Sequence, residues 1–331
     1  MSFLVKEAGI LSTFQDLGRY GHQSTGVSPS GSLDYKSTIL ANQLVGNDID
    51  EAVIEMTLSG ISFDVLKDTR IGIVGAEMSI DINGVHYPVG RSIPLAKGDH
   101  VKLGRMTKGL RTYLAVAGGF KIKQELESYS THTRTGMGGY KGRALQVGDR
   151  LPYNGDNNMT LPYYVTDHLD LDNKSIRIIP GPNYDDLTAE SKKLLILQPY
   201  KITRSNDRMG IRLDGSALKT VDGVHDILSE PTQVGNIQVP KNGQPIILLN
   251  DRQTTGGYKR MASIAKIDLP KLVQMKPDDA IHFEMINLET AIDLYKTEMK
   301  KLMNLDYLAQ DKAHHYYRRV KAERVKKLFM R

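Results

Sequence analysis

Runs of β-branched and apolar residues broken by turn pairs fill most of the chain, and this punctuation predicts β-hairpins. In SIDINGVHYPVG the pair Asn83-Gly84 separates two such runs. It favours a type I′ turn, whose two central positions both need positive φ. Asn242-Gly243 in VPKNGQPIILL repeats the signal. A second unit also recurs: an apolar residue, a short spacer, a Gly-Asp turn and another strand. LAKGDHVKLG at 95–104 and LQVGDRLPYNG at 145–155 are two copies, and MKPDDAIHFEMI at 275–286 is a looser third.

Many short strands joined by tight turns argue for barrels or sandwiches and against a βαβ sheet. The pattern predicts a mainly β protein with two β-barrel halves, residues 1–160 and 174–287. The Asn- and Asp-rich stretch NGDNNMTLPYYVTDHLDLDNK is the expected link between them. One helix interrupts the first half. SLDYKSTILANQLVGN opens on capping residues Ser32 and Asp34, carries Leu40 and Leu44 on one face and stops at Gly46. It reads as a plug or lid on the barrel. The segment 288–331 is a basic helical tail whose stripe Leu288, Ile292, Tyr295, Met299 and Leu302 reads as core packing.

A length of 331 residues suits two domains of the common size. The absence of cysteine excludes disulfides and cysteine-ligated metal centres, and a reducing cytoplasm is the expected compartment. The start MSFLVKEAGILSTFQDLGRYG has no basic segment followed by an apolar one, and no stretch approaches the roughly 18 apolar residues of a membrane span. The net charge of +6 invites a nucleic-acid reading. Ten Lys and Arg against three acids between Lys300 and Arg331 account for +7, however, which leaves the rest at −1. A neutral body with a basic appendage argues against a nucleic-acid face.

Familiar nucleotide and metal motifs are missing. No GxxxxGK[ST] occurs, and GMGGYKG at 136–142 has the wrong spacing for a dinucleotide fingerprint and precedes a strand pattern. The histidines show no metal-binding pairing outside His314-His315, and no GxSxG elbow is present.

Three loops hold the candidate chemistry. The first, 13–34, carries Gln15, Asp16, Arg19, Ser30 and Asp34; Asp34 alone reads as a helix cap, and the loop as a whole is balanced between scaffold and site. The second, THTRTGMGGYKGR at 131–143, combines Gly136, Gly138, Gly139 and Gly142 with Arg134, Lys141 and Arg143, which suits a carboxylate or phosphate. A glycine-rich bulge with solvated cations is its structural alternative. The third, LLNDRQTTGGYKRMASI at 248–264, delivers Asp251, Arg252, Gln253, Thr254 and Thr255 at a strand end, followed by Tyr258. Five successive polar side chains are costly when buried and unpaired, so they pair with one another or face a ligand. Neighbouring segments add Asp207, Arg208 and Glu230.

Taken in order, FQDLGRYGHQSTGVSPSGSLD, LANQLVGN, EMTLSG, THTRTGMGGYKGRALQVGD, NDRMGIRLDG and DRQTTGGY resemble the allophanate hydrolase subunit 2 type of the biotin-dependent carboxyltransferase-like family, over roughly residues 5–285. The nearest functional label within it is the C subunit of the bacterial 5-oxoprolinase complex, also described as the antagonist of a histidine-kinase inhibitor. The resemblance implies two tandem cyclophilin-like β-barrels. It also implies a role beside the A subunit and the kinase-inhibitor-like B subunit in converting 5-oxoproline to glutamate with ATP, with Mg as the nucleotide's companion ion. Related domains in urea carboxylase pass a carboxyl group from biotin to urea, and here biotin would have to ride on another chain. Two features depart from the family pattern: Ile211 follows Met209-Gly210 where an aromatic is common, and the tail after Leu288 is additional.

The chemistry expected is a clamp of Arg134, Arg143 and Arg252 on a carboxylate or phosphoryl group, with Asp251 or Glu230 for proton transfer. Gln15, Asp16, Arg19, Ser30, Gly138, Gly139, Arg208, Gln253, Thr254, Thr255 and Tyr258 are expected to bind substrate. A regulatory protein that sequesters the kinase inhibitor, and a carboxyltransferase component, are the rival readings.

Overall fold

The computed structural model describes residues 1–155, 163–166 and 169–310. The His314-His315 pair, the 311–331 part of the basic tail and part of the expected linker lie outside these residues. The chain forms two compact units: Met1–Gly18, Asp34–His168 and Lys301–Arg331 make the first, Arg19–Leu33 and Leu169–Lys300 the second.

The first unit is an eleven-stranded sheet. At its centre Thr69–Ile82 and His100–Val116 run antiparallel, from Ile71 opposite Val116 to Ile82 opposite Val101, with register shifts between. Ala76, Met78, Ile80 and Ile82 are buried while Glu77 and Ser79 face solvent, the period of two expected of a half-buried strand. Aromatic rings fill the core: Phe3 lies 4.4 Å from Phe63 and 4.7 Å from Tyr153, and Phe14 lies 4.9 Å from Phe120.

The expected helix spans Tyr35–Val45. The Asp34 carboxylate accepts from the Ser37 amide at 2.9 Å and Gly46 ends the helix at φ 75°. The helix packs close to the sheet at Gly72, where a Cβ would stand 2.5 Å from the Ala41 carbonyl oxygen.

The repeated turn unit proves to be one device used three times. In each copy the Asp carboxylate accepts from the amide three residues earlier, Asp99 from Ala96 and Asp149 from Gln146 at 2.8 Å, Asp279 from Lys276 at 2.9 Å. The Asp amide in turn donates to the carbonyl of that residue, at 3.0, 3.2 and 3.1 Å. Gly98 and Gly148 supply positive φ before the first two, and Asp278 takes φ 75° in the third. Asn83-Gly84 has the two positive φ values of a type I′ turn, 53° and 78°. Asn242-Gly243 differs: only Gly243 is positive, and its amide donates to the Pro240 carbonyl at 2.8 Å, so the turn is Pro240–Gly243 with glycine last.

The second unit contains a closed barrel of seven strands. These are Ser175–Pro180, Tyr200–Ile202, Gly210–Asp214, Asn236–Gln238, Ile246–Leu248, Arg260–Ile264 and Ala280–Met285. Parallel pairing of the first with the last, Ser175 opposite His282, closes the ring and leaves no open edge. Ile176, Tyr200, Leu213, Ile237, Ile247, Met261 and Phe283 fill it. Outside the barrel, Asp226–Pro231 and Thr255–Tyr258 form a separate two-stranded ribbon.

The helix Leu288–Met303 bears out the expected packing stripe only in its C-terminal half. Leu302 is buried and Tyr295 and Met299 are half-buried, whereas Leu288 and Ile292 are exposed at 57% and 41%. Ala291 and Glu298, off the stripe, are buried as well. No helix among the described residues is long and apolar enough to cross a membrane.

Candidate functional site

Most polar candidates in the first unit are committed to holding the fold. The Asp16 carboxylate accepts from the Ser128 and Ser130 hydroxyls, the Tyr129 amide at 2.6 Å and the Gly18 amide at 2.8 Å. These donors satisfy both carboxylate oxygens and compensate the buried charge, so Asp16 braces the 128–130 segment. Gln15 is wholly buried, its amide donating to the Thr13 hydroxyl and the Thr131 carbonyl, with its own Oε1 unpartnered.

The glycine loop is closed upon itself. Gly138 donates to Glu125 at 2.8 Å and Gly142 donates to the Gly138 carbonyl at 2.9 Å. A Cβ on Gly139 would stand 1.8 Å from Thr131 Oγ1, and one on Gly142 1.9 Å from the Gly136 carbonyl oxygen. These glycines permit close self-packing, which is the structural alternative to an anion cradle. Arg134 is exposed. Arg143, expected as a clamp, instead forms a two-point pair with Asp149, both contacts 2.8 Å.

That pair predicts an acid-sensitive stability. The Arg143 contact holds the Asp149 carboxyl below its ordinary range. A carboxyl lowered in the folded state contributes stability that is present above its unfolded pKa, about 4, and lost as pH falls through the folded value. Asp149→Asn is therefore expected to be less stable at neutral pH and to lose less than the parent on acidification, measured by urea denaturation at a series of pH values.

The second unit gathers the rest. The loop Arg19–Leu33 lies along 250–252: the Ser30 amide donates to the Asn250 carbonyl at 3.2 Å, the Ser28 hydroxyl to the Arg252 carbonyl at 2.5 Å, and the Asn250 side chain to the Gly31 and Ser32 carbonyls. Ser30 sits at φ 52°, a conformation that costs a non-glycine residue on the order of 1–2 kcal/mol. The Ser32 hydroxyl is buried without a partner. Arg19 is 1% exposed, with its amide on the Pro29 carbonyl.

Arg208 and Asp251 form a buried two-point pair, Nε to Oδ2 at 2.9 Å and Nη2 to Oδ1 at 3.1 Å, and Arg208 also donates to the Gly31 carbonyl at 2.6 Å. The Asp251 carboxylate, expected for proton transfer, and the Arg208 guanidinium, expected to bind substrate, are thus paired with each other. Glu230, the other proposed acid, is half exposed on the ribbon and pairs with Arg260. Gln253, Thr254 and Thr255 lead into the ribbon. The Gln253 carbonyl accepts from the Thr232 hydroxyl, and the Thr254 carbonyl from the Thr232 amide; Thr255 and Tyr258 lie opposite Pro231 and Asp226.

Arg252 is different. It is 3% exposed, yet among the described residues no carboxylate pairs with it. Nη2 donates to the Thr232 carbonyl at 3.1 Å and to Gln23 Oε1 at 3.3 Å, while Nε and Nη1 have no acceptor. Burial pulls its pKa down to about 10. A desolvated guanidinium with two idle donors favours an incoming anion, and a planar carboxylate matches its geometry. Gln23, Ser28, Ser32, Thr232 and Asn250 were not among the predicted site residues; neutral side chains in ordinary loops carry no spacing signal.

Residues 25–285 match the family described as carboxyltransferase domain, subdomain A and B. The chain belongs to this family. It is 38% identical over 288 residues to the 5-oxoprolinase C subunit of Escherichia coli, covering 86% of this chain and 91% of the relative. The protein of the same name from Haemophilus influenzae is 34% identical over 285 residues, 86% of this chain and 91% of that one. The crystal structure of Kluyveromyces lactis urea carboxylase superposes with a TM-score of 0.86 at 28% identity, over 92% of this chain and 29% of that one.

Proposed function

We propose that this chain is one component of an ATP-dependent 5-oxoprolinase complex, acting with the A and B subunits to open 5-oxoproline to glutamate. The relatives of that name support the complex, and Arg252 supports the part this chain plays in it. 5-Oxoproline is a cyclic amide bearing a carboxylate. A buried guanidinium lacking a counter-charge suits that carboxylate, so the chain's contribution is to anchor and orient the substrate.

ATP and its Mg do not fit the glycine loop. Its Gly138 and Gly142 amides are already engaged, and Arg143 is held by Asp149. Among the described residues no group of three His, Asp or Glu is arranged for a metal ion. We therefore assign the nucleotide to another component of the complex. A second reading, carboxyl transfer with biotin carried by another chain, is favoured by the likeness to urea carboxylase.

The deciding experiment is reconstitution with the A and B subunits, read as 5-oxoproline-dependent ATP hydrolysis. Turnover that requires this chain supports the proposal. Tight association with the kinase-inhibitor-like partner but no turnover favours the regulatory role, and urea-dependent consumption of carboxybiotin favours carboxyl transfer.

A further inference from the structure

A guanidinium offers two bidentate forks, Nε with Nη2 and Nη1 with Nη2, and a carboxylate binds best when it closes one of them. In Arg252 both forks are half taken. Nη2 has two hydrogens, and they serve the Thr232 carbonyl and Gln23 Oε1. The idle donors, Nε and Nη1, belong to different forks. A ligand can therefore reach two-point contact only by displacing one of the present acceptors.

The two acceptors are unequal. Thr232 offers a main-chain carbonyl at the root of the ribbon, with its own amide and hydroxyl bonded to Thr254 and Gln253. Gln23 offers a side chain that is half-buried, and its contact is the longer. We propose that Gln23 is a displaceable cover on Arg252: its amide oxygen holds the place of a substrate carboxylate oxygen and swings out when the carboxylate closes the fork.

The displacement has a second effect. Gln23 Nε2 also donates to the Thr232 carbonyl at 2.8 Å and the Thr254 carbonyl at 3.2 Å, the two roots of the ribbon. Occupancy at Arg252 thus reports directly to the strands Asp226–Pro231 and Thr255–Tyr258. The proposal rests on the reading that Arg252 receives a carboxylate.

Two variants test it. Gln23→Glu puts a permanent carboxylate beside the fork. It is expected to raise the KM for 5-oxoproline in the reconstituted complex by about 30-fold or more, and to raise the melting temperature of this chain alone by neutralising the buried charge. Gln23→Ala removes the competitor and is expected to lower KM by about 2- to 5-fold. In the chain alone, 5-oxoproline and acetate are expected to raise the melting temperature of the parent and of Gln23→Ala but not of Gln23→Glu. A Gln23→Ala variant with strongly raised KM, or a Gln23→Glu variant with unchanged KM and melting temperature, overturns the cover. Should the parent complex show no turnover, the melting shifts still decide the cover by themselves, so failure of the functional reading is separable from failure of this one.

Discussion

Arg252→Met is expected to lower kcat/KM for 5-oxoproline in the reconstituted complex by about 100-fold or more, while the melting temperature of this chain holds level or rises. A charge-assisted hydrogen bond contributes roughly 1.5–3 kcal/mol, and a two-point contact in a desolvated setting reaches the upper end, which corresponds to about two decades. The stability arm follows from the same burial. Desolvation draws the Arg252 pKa down to about 10, so the folded chain disfavours the cation that the unfolded chain holds freely. A cation lowered in the folded state costs stability at neutral pH, and that cost is relieved only as pH rises past the folded value. Methionine keeps an unbranched chain of similar reach without charge or idle donors. Loss of turnover with retained or improved stability is the mark of a group kept for binding. Undiminished turnover would place the site elsewhere, and parallel loss of stability would make Arg252 a structural residue.

Where the chemistry is local, the sequence already shows it. The turn repeat at 95–104, 145–155 and 275–286 shares one hydrogen-bonded device because an Asp reaching three residues back needs nothing outside its own turn. The helix cap at Asp34 and the stop at Gly46 are local in the same sense. The mainly β architecture also follows from turn spacing. Asn242 shows the limit: a dipeptide signal cannot say where in the turn the glycine falls, and here Pro240 sets the frame.

The candidate site was legible as a set of loops and illegible as a set of roles. Arg143, Arg208 and Arg252 have similar surroundings in sequence, with Gly and polar neighbours. What separates them is whether a carboxylate meets them in space. Asp149 is six residues from Arg143, but Asp251 is 43 residues from Arg208, and among the described residues Arg252 has no such partner. The placement of Arg19–Leu33 in the second unit is likewise a matter of tertiary pairing, since nothing in the loop's composition distinguishes a neighbour at 250–252 from one in the sheet that precedes it.

Asp251→Ala is expected to destabilise this chain by about 3–5 kcal/mol, the largest stability effect expected of any single change in this loop. Asp251 and Arg208 are 6% and 7% exposed, and they face each other through two contacts. Removing the carboxylate strands the Arg208 guanidinium in the interior, bonded to the Gly31 carbonyl and deprived of the charge that compensates it. Removing both charges together avoids that penalty, so the double variant Arg208→Met with Asp251→Leu is expected to recover most of the loss. Urea denaturation of the parent, the two single variants and the double variant gives the coupling between them. The neighbouring Arg252→Met, one residue along the same strand end, is expected to show the opposite pattern of high stability and low turnover. Asp251→Asn separates structure from chemistry, because it keeps shape and loses charge. If turnover falls only in step with stability, Asp251 is a brace for the loop at Gly31; if turnover vanishes at full stability, the carboxylate carries a proton after all and the pairing with Arg208 must open during the reaction.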